Sequence, residues 1–493
     1  MNDPQALEIN EPTAKIAKTE AKALVRLAAP IIGALVLTSL MGVIDTVMAG
    51  RVSPSDLAAV AIGAAIWHML LLTMTGILMA LTPQIAKLFG QKNTDSISVW
   101  YQLGIRFTLV IALIFLIIGW LASQVIFSLD TTEEITNLSF TYLISILCGL
   151  PAVALFSAQR SLSEGHGISK HVLIITVLGV LINIPLNYVF IYGAFGLPAM
   201  GGAGCGVASA IIFWTMTLAM HKLQTSDRKL THAFKALTET RTSEPLPDRA
   251  VYKQLLKVGI PIGLAILAES SVFAYIPLVV AHLGPEQVSA HQIALNVASI
   301  MFMVPLGLSQ AITVRTGFQL GRKSSRLALI TSRTGILLAF FFGLCSMSLI
   351  MLNANFIATL YTSDITVIEL SVTILILAAL FQLSDTLQIS TAGALRGYQL
   401  TTVPMVITIT AFWIISMPAG YILGLESTAR NWLTHEAIGA QFFAQWLPPA
   451  MGVEGFWYGL IIGLSINALL LISYMILKQR RLSDKTEAET TVA

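Results

Sequence analysis

The amino-acid sequence predicts an all-α membrane protein, with twelve transmembrane helices in two six-helix lobes related by a pseudo-two-fold axis along the membrane normal. Three observations predict it. The 493 residues are 55% hydrophobic and 11% charged, with a mean hydropathy of +0.78, which leaves too little polar surface to cover a soluble globule. Apolar runs long enough to cross ~30 Å of hydrocarbon as helices occur about twelve times. The first six of these runs are echoed in the last six at a constant step along the chain.

The runs lie near 24–50, 57–82, 105–128, 138–159, 171–194, 203–221, 256–283, 288–312, 327–352, 366–392, 402–424 and 453–477. Residues 1–23 mix Asp, Glu and Lys with no apolar core of an export signal, and residues 479–493 are charged and Thr-rich, so both segments read as tails. Lys and Arg are retained on the cytoplasmic side of a membrane. With the N-terminus inside, all but two of the 29 basic residues, Arg51 and Arg430, fall in or beside the tails and the even-to-odd connections. Both termini are therefore expected in the cytoplasm. The net charge of +3 is explained by this orientation rather than by a nucleic-acid partner.

The connection at 223–252 is the only long polar break, and it separates a first lobe at 24–222 from a second at 253–478. Sliding the first lobe onto the second by one constant step, without a gap, superposes Pro30 on Pro261, Pro54 on Pro285, Gly76 on Gly307, Gly90 on Gly321 and Lys92 on Lys323. Six spans per lobe leave both lobes inserted the same way, which demands an axis along the membrane normal and suits alternating access between them.

Three carboxylates interrupt the apolar spans: Asp45 in span one, Glu269 in span seven and Asp385 in span ten. An ionised side chain at bilayer depth costs at least ~2.5 kcal/mol, so such residues are expected on an ion or substrate path. Helical rise places Glu269 about 18 Å from Lys257 and Asp385 about 17 Å from Arg396, at similar depth, with Asp45 in a separate place nearer the outer surface. The alternatives are a buried salt bridge, disfavoured because no Lys or Arg is expected at comparable depth, and a carboxyl protonated throughout. Gln292, Asn296 and Ser299 in span eight and Gln382, Asp385 and Gln388 in span ten recur at helical spacing, as wet stripes of a cavity require. Phe273 is placed in the same lining. Asn183 and Asn187 flank Pro185, where a lost backbone bond should bend span five and free carbonyls for a cation; Pro30 and Pro261 are candidate bends in spans one and seven. These amides also suit plain interhelical hydrogen bonding. Arg160 and Glu164, four residues apart, are a candidate cytoplasmic gate or an interfacial ion pair.

Other chemistries fare poorly. The string from Gly317 to Ser324 lacks the order of a phosphate-binding loop, and His435 and Glu436 are followed by Gly439 rather than completing a zinc-protease motif, so an enzyme is not expected. Cys148, Cys205 and Cys345 stand singly in apolar runs and read as inert core thiols. A flippase for lipid-linked saccharides is the alternative transporter, although its anionic cargo would call for Arg or Lys in the cavity.

The stretches Met41–Gly50 (MGVIDTVMAG), Asn183–Gly193 (NIPLNYVFIYG), Gly201–Ala208 (GGAGCGVA), Ala290–Asn296 (AHQIALN) and Ala392–Tyr398 (AGALRGY) resemble the multidrug and toxic compound extrusion (MATE) family, in its bacterial NorM-like branch. The resemblance extends over nearly all of residues 20–478. It implies a V-shaped pair of lobes in the bacterial inner membrane, exporting amphipathic organic cations such as drugs and dyes in exchange for Na+ or H+, with no cofactor. It assigns cation coupling to Asp45, Glu269 and Asp385, and it makes Glu269 and Asp385 the candidate Na+ site. Two departures stand out: the external connection at 425–452, where Trp432, Trp446, Pro448 and Pro449 suggest a cap, and Glu164, where an aspartate is also expected. Binding of either cation should relieve the same unpaired carboxylates, so ion and drug are expected to compete and thereby to exchange. Na+ against H+, the stoichiometry and the drug spectrum stay open. One chain carries both lobes, so a monomer suffices.

Overall fold

Helices dictated by those apolar runs build the whole of the described protein. The structure, a computed structural model, describes residues 12–231, 234, 248–425 and 448–492, the last eleven by backbone alone. Twelve helices there are long and apolar enough to cross a membrane: α1 (Thr13–Gly50), α2 (Pro54–Gly90), α3 (Thr94–Ser128), α4 (Glu133–Gly165), α5 (Lys170–Tyr192), α6 (Ala203–Ser226), α7 (Asp248–Leu283), α8 (Pro285–Gly321), α9 (Ser325–Tyr361), α10 (Ile365–Gly397), α11 (Thr402–Gly424) and α12 (Val453–Arg481). An even number of spans returns the chain to the side it started from, so α1 begins and α12 ends on one face, here the terminal face. Half of the expected 223–252 linker and most of the 425–452 cap lie outside the described residues.

Prolines punctuate the spans where the expected edges were smooth. A proline removes a donor and crowds the carbonyl four residues earlier. Accordingly α2 is interrupted at Met79–Ala80, just ahead of Pro83, and α4 at Cys148–Gly149, just ahead of Pro151. In α11, Thr410–Ser416 widen into a π-helix immediately before Pro418. Pro185, expected to bend span five, sits inside an unbroken α5, as Pro30 does in α1 and Pro261 in α7.

Local chemistry repeats between the lobes along with the helices. Asn93 caps α3 by accepting from the Ser96 amide, and at the matching position of the second lobe Ser324 caps α9 by accepting from the Leu327 amide. The residues just before these caps, Lys92 and Lys323, both take left-handed backbone, φ 56° and 57°. At the start of α6 the amide of Gly202 donates to Asp56 Oδ1 (2.5 Å), and at the start of α12 the amide of Val453 donates to Gln287 Oε1 (3.0 Å). Asp56 and Gln287 stand at the same step along the chain as Lys92 and Lys323.

The lobes meet in the same reciprocal fashion. A Cβ on Gly90 would strike the carbonyl of Phe318, and one on Gly321 would strike that of Lys87, each the image of the other contact. Gly76 packs on Gly263 while Gly307 packs on Ile32, another exchanged pair. Contacts of this kind generate a two-fold axis between α2 and α8, parallel to the spans. All of them lie in the halves of α1, α2, α7 and α8 next to the terminal face, so the lobes close there and diverge toward the opposite face. The structure is thus a V with its mouth away from the termini.

Residues 13–23 depart from the expected tail. They continue α1, and Glu20, fully buried, accepts from Arg315 Nη2 (2.6 Å) and Gln319 Nε2 (2.8 Å) of α8 in the other lobe. Hydropathy misses these turns of helix because a buried glutamate and three exposed lysines outweigh the buried Ile16. Arg315 is also a basic residue inside a span, stacked 5.3 Å from the Phe318 ring. Of the three cysteines expected in the core, only Cys205 is buried; Cys148 and Cys345 are exposed on the bundle surface. Removing one partner of a buried ion pair costs roughly 3–5 kcal/mol, whereas replacing both with apolar groups is often neutral. Arg315→Met should therefore lower the melting temperature of the detergent-purified protein clearly, and Glu20→Met/Arg315→Met should recover most of the loss. Equal melting temperatures for the single and double variants would count against the pair as a tie between the lobes.

Candidate functional site

In the first lobe, Asp45 on α1 is 8% exposed and gathers donors from two other helices. Asn183 Nδ2 (2.9 Å) and Asn187 Nδ2 (2.6 Å) of α5 both donate to Oδ1, and Ser209 Oγ (3.2 Å) of α6 donates to Oδ2. Spacing of four residues puts the two asparagines on one face of α5 either side of Pro185. Three donors thus converge on one carboxyl group in an apolar bundle, and hydrogen bonds to it are about twice as strong when it is charged as when it is neutral. The outward oxygens of both asparagines are buried with no partner among the described residues. Asn183 and Asn187 thus belong to the Asp45 site. Ser209 was missed from the sequence, because a serine amid alanines and glycines carries no periodic signal.

In the second lobe, Glu269 of α7 is half-buried and lines a cavity with Gln388 and Arg396 of α10, Pro261 of α7, and Thr401, Pro404 and Thr408 at and beyond the start of α11. Asp385, 4% exposed, lies one turn from Gln388 and within electrostatic reach of Glu269. Its Oδ1, both amide atoms of Gln382 and the Oε1 of Gln388 are buried without partners among the described residues. The partnerless oxygens here are carboxylate and amide, the chemistry of a hard cation or a proton, beside a cavity otherwise walled largely by apolar side chains such as Ile262, Ala265 and Ile389. Water-sized space in the cavity is about 40 Å³, room for two or three waters or a partly dehydrated ion at ~10–15 Å³ each, and far below the ~300 Å³ or more of a drug pocket. An organic cation and a small ion competing for Glu269 itself, as expected from the sequence, does not fit this geometry.

Arg396 is the main correction to the electrostatics. Counted as an anchor at the cytoplasmic end of span ten, it is instead only 7% exposed and borders the same cavity as Glu269. The expectation that no basic residue lies near the acids therefore fails. Its Nη2 donates to Ser309 Oγ of α8 (2.6 Å). A terminal-turn arginine and an interfacial one look alike in sequence, and only packing separates them.

The remaining candidates divide between cleft, core and interface. Gln292, Asn296 and Ser299 are exposed along α8, and Ala61, Ala65 and His68 are exposed at the equivalent positions of α2. Asn296 and Ser299 precede Val314 and Gly317 by about five helical turns, so they share the face by which α8 grips α2 near the terminal face. Where the lobes part, that face looks into the cleft. Phe273 lies elsewhere, edge-on to Phe381 (6.0 Å) and Phe412 (6.2 Å) in the aromatic core of the second lobe. Arg160 pairs with Glu164 (2.6 Å), and it also reaches across the lobes to Gln310 of α8, which makes the contact interlobe as well as intrahelical.

Twelve spans in two related lobes, a cleft between them and buried acids in each define the architecture of a secondary transporter. The MatE family model matches residues 30–189 and again 261–422, two matches whose starts are set apart by the step that carries Pro30 onto Pro261, and the chain belongs to this family. Among relatives, the probable multidrug resistance protein NorM of Shewanella oneidensis is 40% identical over 92% of this chain and 93% of its own length. The multidrug resistance protein MdtK of Yersinia pseudotuberculosis is 37% identical over 92% and 94%. In fold, the chain resembles the crystal structure of the eukaryotic MATE transporter AtDTX14, with a TM-score of 0.80 at 17% identity over 95% of this chain and 99% of that one. It likewise resembles that of a MATE in the bent conformation, with a TM-score of 0.80 at 19% identity over 97% and 99%.

Loss of a donor to a charged acceptor costs about 1.5–3 kcal/mol. Asn187→Leu should accordingly leave membrane abundance near wild type but cut dye export, with Asn183→Leu milder because its bond is longer. Wild-type export by Asn187→Leu at matched abundance would remove Asp45 and its donors from the working site.

Proposed function

We propose that the protein is a multidrug efflux antiporter of the bacterial inner membrane, with both termini cytoplasmic, exporting amphipathic organic cations in exchange for Na+ or H+. The observation that carries this reading is the pairing of a small cavity beside Glu269 and Gln388, next to partnerless oxygens of Gln388 and Asp385, with polar faces of α2 and α8 exposed where the lobes diverge. The ion occupies the cavity, and the drug occupies the cleft lined by Gln292 and Asn296. Competition then runs through the lobe arrangement: if the ion favours one arrangement and the drug the other, each lowers the affinity for the other by the same factor. An inward-negative potential contributes ~2.3 kcal/mol per charge per 100 mV to ion entry, enough to drive a modest drug gradient with one ion.

Cationic cargo is supported by the state of the arginines within the bundle. Arg315 is engaged by Glu20, Arg160 by Glu164 and Gln310, and Arg396 by Ser309, while the facing stripes of α2 and α8 present amides, a serine and His68. An anionic saccharide carrier would find little to bind there.

The test is export of a cationic dye from proteoliposomes under a Na+ gradient at fixed pH, then under a pH gradient without Na+. One of the two should drive export in wild type, and Glu269→Gln and Asp385→Asn should bring it to background at normal abundance. Gradient-driven export by Glu269→Gln at the wild-type rate would refute the coupling role, and no dye movement under either gradient would leave the flippase reading in its place.

A further inference from the structure

We propose that Arg396 and Ser309 are positioning residues through which the charge in the Glu269 cavity controls the contact that holds the lobes closed at the terminal face. This rests on the reading above that Glu269 is neutralised when a cation arrives.

The path is short and made of polar contacts. Arg396 borders the cavity with Glu269 and donates from Nη2 to Ser309 Oγ (2.6 Å), and Ser309 donates its own proton to the carbonyl of Ile389 (2.6 Å). The next residue on α8, Gln310, accepts from Arg160 of the other lobe, and Arg160 is held in turn by Glu164 (2.6 Å). Two arginines from different lobes, Arg396 buried and Arg160 partly so, thus end on consecutive residues of one helix. The α8–α10 seam at this point has no slack. Gly393 lies against Ser309, Gly397 lies against Thr316, and Thr313 Oγ1 donates to the Gly393 carbonyl (2.8 Å). The loops after α4 and α10 also correspond: Gly167 and Gln399 take left-handed backbone at φ 74° and 61°, which aligns Glu164 with Arg396. One lobe places an acid, and the other a base, at the same point of the interface.

The direction of coupling follows from desolvation. While Glu269 is charged, the guanidinium of Arg396 has a carboxylate across the cavity, although its Nε has no partner among the described residues. Neutralising Glu269 leaves a buried cation short of negative charge, which is costly in an apolar bundle. The acceptor it already holds is Ser309 Oγ on α8, next to the residue that holds Arg160. A firmer pull on Ser309 displaces α8 there and weakens the hold of Gln310 on Arg160, the terminal face loosens, and the lobes shift toward the arrangement open to the terminal side. Glu20 with Arg315 and Gln319 is a second tie between the lobes, one turn further along α8, with no link to the cavity. The relay therefore modulates the closed state without being its sole support.

The charge switch can be tested without knowing which ion is used, because Glu269→Gln imitates a neutralised cavity. Spin labels at Ser55→Cys and Glu286→Cys, equivalent positions at the mouth of the cleft, report the separation of the lobes once Cys148, Cys205 and Cys345 are replaced. Glu269→Gln should lower the ratio of open-mouthed to closed-mouthed molecules by about fivefold or more, the lower end of typical coupling strengths. In Ser309→Ala, Glu269→Gln should change that ratio by less than about twofold, and Gln310→Leu should reproduce the effect of Glu269→Gln while Glu269 is intact. Ser309→Ala touches neither cavity nor ion, so a merely structural role would shift both members of the cycle alike. An undiminished effect of Glu269→Gln in the Ser309→Ala background, or no effect in either background, would overturn the relay. Failure of the antiport reading is separate: it shows as dye export by Glu269→Gln in proteoliposomes, whatever the labels report.

Discussion

A carboxylate carried into hydrocarbon has to be given donors, a counter-charge or a visiting cation, and the protein answers this differently at each acid. Asp45 receives three neutral donors from α5 and α6 and is complete within its lobe. Glu20 receives an arginine from the opposite lobe, so its charge becomes part of the interface. Glu269 and Asp385 receive neither in full. They lie beside buried amide oxygens without partners among the described residues, and Glu269 shares its cavity with Arg396. The acids thus run from fully engaged by neighbouring helices to partly unpartnered.

The pseudo-two-fold axis constrains the backbone far more tightly than it constrains the chemistry. Caps, left-handed lysines and the glycine contacts of α2 with α8 recur at one step along the chain, because each lobe must present the same close-packed surface to the other. The intramembrane acids do not recur. The position equivalent to Asp45 is Ile276 and the one equivalent to Glu269 is Thr38, while Glu164 corresponds to Arg396 once the left-handed Gly167 and Gln399 are matched. A two-lobed machine built this way has equal halves mechanically and unequal halves electrically.

Alternating access needs a closed face that is firm yet reversible. Backbone-to-backbone approach at Gly90 and Gly321 supplies close contact without deep interdigitation, and the two polar ties onto α8 supply strength that depends on charge. Both ties land on a single helix, at Gln310 and Arg315. That helix also carries the stripe of Gln292, Asn296 and Ser299 toward its other end, so the polar stripe, the lobe contact and the seam with α10 all share α8.

The number of spans, their grouping into lobes, the axis between them and the three intramembrane acids were legible from residue order, because hydropathy, helical rise and a displaced repeat are properties of the chain taken alone. The asparagines around Pro185 were legible as a polar face, but not as the donors to Asp45, since sequence gives the face of a helix and not its neighbour. Arg396 looked like a surface anchor, Glu20 looked like part of a tail, and the cavity looked able to admit a drug. Each of these was settled by packing: whether a polar group near a span's end meets water or another helix depends on how the bundle is assembled, and the space beside a carboxylate is what remains after every neighbour has taken its place.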